Sequence, residues 1–424
     1  MAAMTPSRSM SGRPRETIAW VVLGISAWLA LAGLTVAMYV ARTPPSSGFD
    51  LELLLEGGRR VAAGLTPYDP LLIGGGSVEI QSLFYSYPPL VAQTLSLIAP
   101  VPSPIVFLAW SVAAVLAAIA VAALIDRRLG NGGQGGLVLP VAAMLPFWFP
   151  FAVALLFGNL DAWFAALFGL LLVAGVAAEG QNSASSATRR DLLAGGFALG
   201  VMMITKLHPA SLGLWFLVRG LRERVAGRPA TRLWTVLGIA IGVAIVAFIA
   251  SIAVGGIGPW LDYLAVLRAG VNVDLLDPRN LGPSVQIALA TGLGPDAVRT
   301  MQIGVTVLSG LATIAAAWRV NDTVESLAWA TVASFVVLPV TWFHYPAALV
   351  PFGVAAVVRA REAGPAAWRR TLLFLGAAFA LAIAGMGLPI MWLSILALLL
   401  ALRASRPVAR SSLAPTSQPA AARA

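Results

Sequence analysis

Cysteine is absent from this chain of 424 residues, lysine occurs once and histidine twice. The missing cysteine excludes disulfides, thiol nucleophiles and thiolate metal sites, and says nothing about compartment. Charge is scarce as well: charged side chains make up 11% of the chain, against about a quarter in a soluble domain that must cover its surface. No Walker loop, dinucleotide fingerprint or HExxH pattern occurs. No cytoplasmic loop reaches domain size, which argues against ATP or nucleotide-sugar chemistry inside the cell. No acidic pair compels a metal ion, so no metal ligands and no cofactor are assigned and metal dependence is left open.

Hydrophobic residues fill 59% of the positions. Apolar runs recur near 18–41, 88–100, 104–125, 137–156, 159–178, 192–218, 233–255, 300–318, 326–343, 345–358, 371–386 and 388–402. A helix needs about 20 such residues to cross a hydrocarbon core. The runs lack the alternation of barrel strands, and lipid leaves no other way to satisfy the backbone. The expected fold is therefore all-α, a polytopic transmembrane helical bundle of about twelve spans occupying residues 18–402. Residues 1–17 are expected as a cytoplasmic N-terminal segment. The run after Arg8, Arg13 and Arg15 is too long for a cleaved signal core and should stay as a span. Residues 403–424 read as a disordered cytoplasmic tail.

The net charge of +10 is carried almost wholly by arginine, gathered in short loops. The positive-inside rule accounts for that without a nucleic-acid partner. It puts Arg219–Arg232, Arg359–Arg370 and the tail in the cytoplasm, and the segments 42–87 and 256–299 outside. Two topologies fit. Either 88–100 crosses and 192–218 is one span, or 88–100 is a re-entrant half-helix and 192–218 is two short spans broken at Lys206.

The first outer segment reads Gly48-Phe49-Asp50-Leu51-Glu52-Leu53-Leu54-Leu55-Glu56-Gly57-Gly58-Arg59-Arg60. On a helix Glu52, Glu56, Arg59 and Arg60 share one side, opposite Leu54, Gly57 and Val61, as in an amphipathic helix lying in the membrane interface. Asp50 then either caps this helix or stands at the outer membrane face as a general base, its basicity raised by low polarity. A turn at Gly64–Pro70 follows, then Phe84-Tyr85-Ser86-Tyr87-Pro88-Pro89 on the way into the membrane. That aromatic pair reads equally as an interface anchor.

Scarcity supplies further candidates. The single lysine, Lys206, lies inside an apolar run of a chain that otherwise uses arginine, and both histidines, His208 and His344, sit in or beside membrane segments. Ionisable groups there are costly and are functional candidates. The alternatives are a snorkelling lysine and a plain interface histidine. Gly158-Asn159-Leu160-Asp161 makes a tight turn whose Asn159 and Asp161 could also hydrogen-bond a sugar. The second outer segment carries Asp262, Asp274, Asp277, Arg279, Asn280 and Gln286, suited to covering a site or simply solvated.

Taken in order, these motifs resemble glycosyltransferase family 87, the polyprenol-phosphate-sugar-dependent transferases of the GT-C superfamily best known from actinobacterial mannosyltransferases. The matching elements are Asp50, Ala63-Gly64-Leu65-Thr66-Pro67-Tyr68-Asp69-Pro70, Tyr87-Pro88-Pro89, Gly158-Asn159, Lys206-Leu207-His208-Pro209 and Trp342-Phe343-His344-Tyr345. One element departs: the family's Gly-Gln-x-Asn turn reads Gly158-Asn159-Leu160-Asp161, which puts any role carried from that turn in doubt. The resemblance implies a GT-C bundle in a bacterial plasma membrane with its site on the outer face. It implies transfer of a sugar from a polyprenyl-phosphate donor with Asp50 as base, and it fixes neither donor sugar nor acceptor. The expected reaction is an inverting displacement, with mannose the first candidate and a glycolipid or glycan as acceptor. Lys206 is the first candidate for the donor phosphate, with Arg59, Arg60 and Arg279 as alternatives. His344, His208, Tyr87, Asn159, Asp161 and Gln286 are candidate substrate contacts. The rival reading is a lipid or glycolipid flippase, which calls for paired broken helices in two related halves.

Overall fold

The computed structural model describes residues 14–41, 47–74, 85–130, 136–180, 186–273, 275–385 and 389–406, and among them every regular element is helical. Phe84, Asp274, most of 1–17 and most of 403–424 lie outside the described residues.

Helix α1 is Pro14–Ala41, and α2 is Phe49–Ala62 in the first expected outer segment. A short turn of helix, α3 (Pro70–Ile73), and α4 (Pro89–Ser96) lead to the long α5 (Ser103–Leu129). At eight residues, α4 is about 12 Å long and cannot cross a bilayer. Helices α6 (Val138–Met144) and α7 (Phe149–Phe157) form a pair bent by 73°, broken beside Pro146 and Pro150. Then come α8 (Asp161–Glu179), α9 (Ser186–Thr205) and α10 (Leu212–Val225). The 192–218 run is thus broken: α9 stops at Thr205, and a 3-10 turn, His208–Ser211, precedes α10.

Helix α11 (Thr231–Gly255) is followed by α12 (Gly258–Val273) and α13 (Pro283–Thr291) in the second expected outer segment. The chain closes with α14 (Pro295–Arg319), α15 (Thr323–Ser334), α16 (Val350–Ala363), α17 (Pro365–Ala384) and α18 (Met391–Ala404). The expected run 326–343 is helical only to Ser334. Residues 335–344 leave the helix, and a 3-10 turn at Tyr345–Leu349 precedes α16. Pro339 and Pro346 supply the reason, since neither can donate to a helix interior.

Among the described residues six helices are long and apolar enough to cross a membrane: Glu16–Ala41 within α1, then α5, α8, α11, α14 and α17. Taking α6 and α7 as one broken span makes seven. Their outward faces carry large exposed apolar side chains such as Ile245, Val246 and Leu308, as a lipid environment permits. The protein core runs through α8, which is buried along most of its length by Phe164, Phe168, Leu171 and Leu172.

The bundle has two chemically distinct ends. At one, arginines tie together the ends of α5, α8, α9, α10, α11, α14, α15, α16 and α18. Arg128 pairs with Asp191 at 2.9 Å, Arg359 with Asp322 at 2.9 Å and Arg361 with Asp126 at 2.8 Å. Arg406 pairs with Glu325, and Arg232 donates to the Gly180 carbonyl. Arg219 is the hub, only 1% exposed. It grips Glu179 and donates to the carbonyls of Ala317, Val320 and Asn321, so α8, α10 and the α14–α15 turn meet on one guanidinium. Helix α8 starts at Asp161 and ends at Glu179 in this network, a length of about 28 Å. Asp161 therefore stands at the opposite end.

Replacing Arg219 by Ala strands a partly buried carboxylate and three carbonyls. It should lower stability by about 3–5 kcal/mol, read as a fall in Tm in detergent. Lysine at the same position should restore only part, because one ammonium cannot reproduce the fork. An unchanged Tm in R219A would refute the hub.

Candidate active site

The site is assembled by two close backbone approaches. Gly48 takes the left-handed conformation at φ 78° ahead of α2, and its N–H donates to the Leu156 carbonyl at 2.8 Å. Gly158, at φ 67°, ends α7, and a Cβ there would sit 2.7 Å from the Leu51 Cβ. Both positions favour glycine for conformation, and Gly158 for space too. The start of α2 is therefore seated directly on the α7–α8 turn. Farther along, Gly57 and Gly58 let Tyr85 and α4 approach: a Cβ on Gly57 would meet the Tyr85 ring at 2.5 Å. The apolar side of α2 (Leu51, Leu54, Leu55) is thus covered by protein.

This seating brings Asp50 to Asn159. Asn159 Nδ2 donates to Asp50 Oδ2 at 2.8 Å, while Asn159 Oδ1 accepts from the Asp161 backbone N–H at 2.9 Å. The second bond fixes which way the amide points. Asp50 is not the cap of α2, a position that Gly48 occupies. Asp50 as a residue is half-buried. Burial is the largest influence on it and lifts its pKa from 3.8 to about 6, with Asp161 adding to the rise and Asn159 and Lys206 opposing it.

Beside Asn159, Asp161 is fully buried and takes Lys206 Nζ on both oxygens, at 2.8 and 2.9 Å. Lys206 follows the last residue of α9, its N–H donating to the Met202 carbonyl at 2.9 Å. Its ammonium also lies 4.0 Å from the centroid of the Tyr345 ring, at cation–π distance. So Lys206 is held inside the protein and does not snorkel. His344 Nε2 comes within 3.2 Å of Asp161 Oδ2, yet neither ring nitrogen makes an aligned hydrogen bond. His208 stacks on Tyr345 with centroids 4.8 Å apart, and its Nδ1 lies 3.5 Å from Ser334 Oγ. Tyr87 completes the group, its side chain near Asn159, Asp50, Asp161 and Tyr345. The second outer segment is fastened to the same loop: the Leu281 N–H donates to the Thr341 carbonyl at 2.7 Å, three residues before His344.

Residues 85–341 match the family model of glycosyltransferase family 87. The chain belongs to that family. It is a membrane glycosyltransferase. No curated protein matches it. Among solved structures, ArnT from Cupriavidus metallidurans bound to undecaprenyl phosphate is 16% identical, with a TM-score of 0.45 over 91% of this chain and 77% of that one. The apo state of the same protein gives 17% and 0.40 over 92% of this chain and 78% of that one.

Of the residues singled out from the sequence, Asp50, Asn159, Asp161, Lys206, His344, His208 and Tyr87 come together in this family 87 chain. Others are engaged elsewhere. Arg59 pairs with Glu52 at 2.5 Å and Glu56 at 3.1 Å, and Arg60 donates to the carbonyls of Thr66 and Tyr68. Arg279 is gripped by Asp277, and Gln286 donates to the carbonyls of Pro278 and Asn280. Sequence reasoning missed Tyr345 as the platform under Lys206 and His208, although it adjoins His344 in the quoted motif. Among the described residues no group of three or more His, Cys, Asp or Glu side chains is arranged to hold a metal ion.

The ion pair permits a test that separates support from chemistry. Lys206→Met leaves Asp161 buried without its partner and should cost about 3–5 kcal/mol, while the double variant D161L/K206M should recover most of that stability. Tm reads the recovery and a transfer assay reads the chemistry. A double variant as unstable as K206M would show that the pair is not the source of the loss.

Proposed function

We propose that this chain moves a sugar, mannose in the first instance, from a polyprenyl-phosphate donor to a glycolipid or glycan acceptor, at the outer face of a bacterial plasma membrane. The observation that carries the reading is the cluster itself: a half-buried residue, Asp50, held by Asn159 beside a buried Asp161–Lys206 pair, at the bundle end opposite the arginines. The positive-inside rule assigns the arginine end to the cytoplasm. In this reading the chain makes twelve passes, with run 192–218 crossing twice and run 88–100 not at all: the six long helices, the bent pair α6–α7, and α9, α10, α15, α16 and α18. Helix α4 dips in without crossing, and α2 lies at the outer interface with its charged side to water.

In the reaction, Asp50 takes the proton of an acceptor hydroxyl as that oxygen attacks the anomeric carbon. The bond from that carbon to the phosphate oxygen breaks, and polyprenyl phosphate leaves with the electron pair. Attack from the side opposite the phosphate inverts the anomeric centre. Lys206 and His344 face the departing phosphate, and donors fixed in place there need no reorganisation as its charge grows. Both ring nitrogens of His344 lack hydrogen-bond partners, which suits a substrate contact. Arg279 and Gln286 stand on the segment tied to the His344 loop and cover the site. Tyr87 and His208 line it, whereas Arg59 and Arg60 serve the local structure of α2.

Asp50→Asn tests the base. Transfer from a polyprenyl-phosphate sugar to membrane glycolipids should fall by about 10²–10⁴-fold with donor binding retained. In the unaltered protein kcat/KM should rise with pH through about 6 and then level off, as Asp50 ionises. Stability should run the other way. The folded chain keeps the Asp50 proton up to about pH 6, whereas an unfolded chain releases it near 3.8, so stability falls as pH rises through that window. D50N should therefore have the higher Tm at pH 7.5 and an equal one at pH 3.5. Near-normal turnover in D50N would remove Asp50 as base, and label crossing a liposome bilayer unchanged would point to a transporter.

A further inference from the structure

Asn280 stands just ahead of α13 in the second expected outer segment and is fully buried. Its side chain ties that segment to the loop between α15 and the 3-10 turn at Tyr345. Asn280 Nδ2 donates to the Pro339 carbonyl at 3.0 Å. Asn280 Oδ1 accepts from the Thr341 N–H at 2.9 Å and from the Gly282 N–H at 3.0 Å. Two donors on one oxygen fix which way the amide points. The next residue adds a backbone bond, the Leu281 N–H donating to the Thr341 carbonyl at 2.7 Å. The crossing is also tight. A Cβ on Gly282 would lie 2.8 Å from the Pro339 carbonyl oxygen and 3.1 Å from Asn280 Oδ1.

The loop needs these bonds. Residues 335–344 have left the helix, so their buried backbone groups must find partners outside a helical ladder. At the far end α14 supplies them: Gln302 Nε2 donates to the carbonyls of Val336 and Val337, at 2.9 and 3.2 Å. At the near end Asn280 supplies them, and only Trp342 and Phe343 separate Thr341 from His344. The His344 ring is buried, and neither of its nitrogens has an aligned partner. With no hydrogen bond to hold the imidazole, its distance of 3.2 Å from Asp161 Oδ2 is set by the backbone that carries it. That backbone is registered at Thr341 by Asn280.

We infer that Asn280 is a positioning residue for His344: through this one amide the second outer segment sets the imidazole against the Asp161–Lys206 pair. The use of His344 at a donor phosphate rests on the reading proposed above, whereas its placement by Asn280 rests on the geometry. A donor that stabilises a departing phosphate must stand in place before the charge moves. A loop displaced by a fraction of an ångström should therefore slow the chemical step and leave donor binding largely intact.

The chain holds only two histidines, which gives a direct measurement. The full-length protein is labelled with carbon-13 at the Cε1 of histidine and placed in nanodiscs, and its two imidazole signals are assigned with His208→Gln and His344→Gln. Asn280→Ala should move the His344 signal well beyond that of His208, whose ring is packed among Phe164, Phe335 and Tyr345. Gly282→Ala crowds the Pro339 carbonyl without removing a polar group and should move the same signal. Gln302→Ala frees the far end of the loop and should lower Tm while moving the His344 signal far less. In a transfer assay N280A should lower kcat by about 10–100-fold, with the donor KM changed by less than about threefold. In a His344→Ala background the same change should cost less than about threefold further. An unmoved His344 signal, equal movement of both histidines, or as large a loss of kcat in H344A as in the unaltered chain would make Asn280 an ordinary structural residue and overturn the inference. If the His344 signal moves but the unaltered protein transfers no sugar from a polyprenyl-phosphate donor, the positioning stands and the donor class fails. If the unaltered protein transfers and N280A matches it, the donor class stands and the positioning fails.

Discussion

The buried pair between Asp161 and Lys206 is the interaction on which the rest of the site depends. A charge taken out of water must be paired, and in a membrane bundle no solvent stands ready to replace a lost partner. Asp161 is fully buried at the first residue of α8, and Lys206 is buried just past the last residue of α9. Their bond therefore fixes the relative height of two adjacent helices at one end of the bundle. The Asp161 N–H then orients Asn159, and Asn159 orients Asp50. Tyr345 lies under the ammonium and carries His208 stacked on it, so the loop after α15 is referenced to the same charge. Three separate stretches of chain thus take their positions from one ion pair.

The backbone had to yield for this to happen. Helix α2 could not meet the α7–α8 turn with a side chain at Gly158, because Leu51 already occupies that space. Lys206 still closes the last turn of α9, its N–H donating to the Met202 carbonyl at 2.9 Å. Pro209, with no N–H to donate, keeps that helix from continuing. In the long helices the backbone is regular and the side chains are mainly apolar. In the site the helices are short, interrupted and polar, a departure tolerated in membranes only where protein covers the freed backbone.

What the sequence makes legible follows the same division. Composition and run length announce membrane helices directly, because each long span is a local property of its own residues. Scarcity marked Lys206, His208 and His344 before any fold was known. The pairing of Lys206 with Asp161, 45 residues earlier, was not legible, since no local pattern encodes a contact across two helices. Asn159 reads from the sequence as a candidate sugar contact on a turn that departs from the family pattern, and in the fold it bridges Asp50 and Asp161. Arg59 and Arg60 looked available because exposed arginines on an amphipathic helix look alike. Only the fold shows that Glu52, Glu56 and two carbonyls have claimed them. The run at 326–343 reads as one continuous helix because hydropathy averages over Pro339, whereas the backbone leaves the helix after Ser334.

The charges of the cluster also bear on how one carboxyl could serve two ends of a displacement. With Asp50 ionised, Asp50, Asp161 and Lys206 sum to one negative charge, and in an apolar surrounding that sum repels a phosphate. In the proposed reaction Asp50 gains a proton as the acceptor oxygen attacks, and the cluster becomes neutral at the moment when negative charge moves onto the leaving phosphate. Proton uptake at one side thereby favours departure at the other. Asn159 is suited to both states, because its amide N–H can donate to Asp50 whether or not the carboxyl is protonated. A lysine without Asp161 would hold the donor phosphate harder, but it would hold the product phosphate as hard. Pairing it tempers that grip, and the change of charge at Asp50 then supplies stabilisation that the ground state lacks, which is the form of binding that accelerates a reaction.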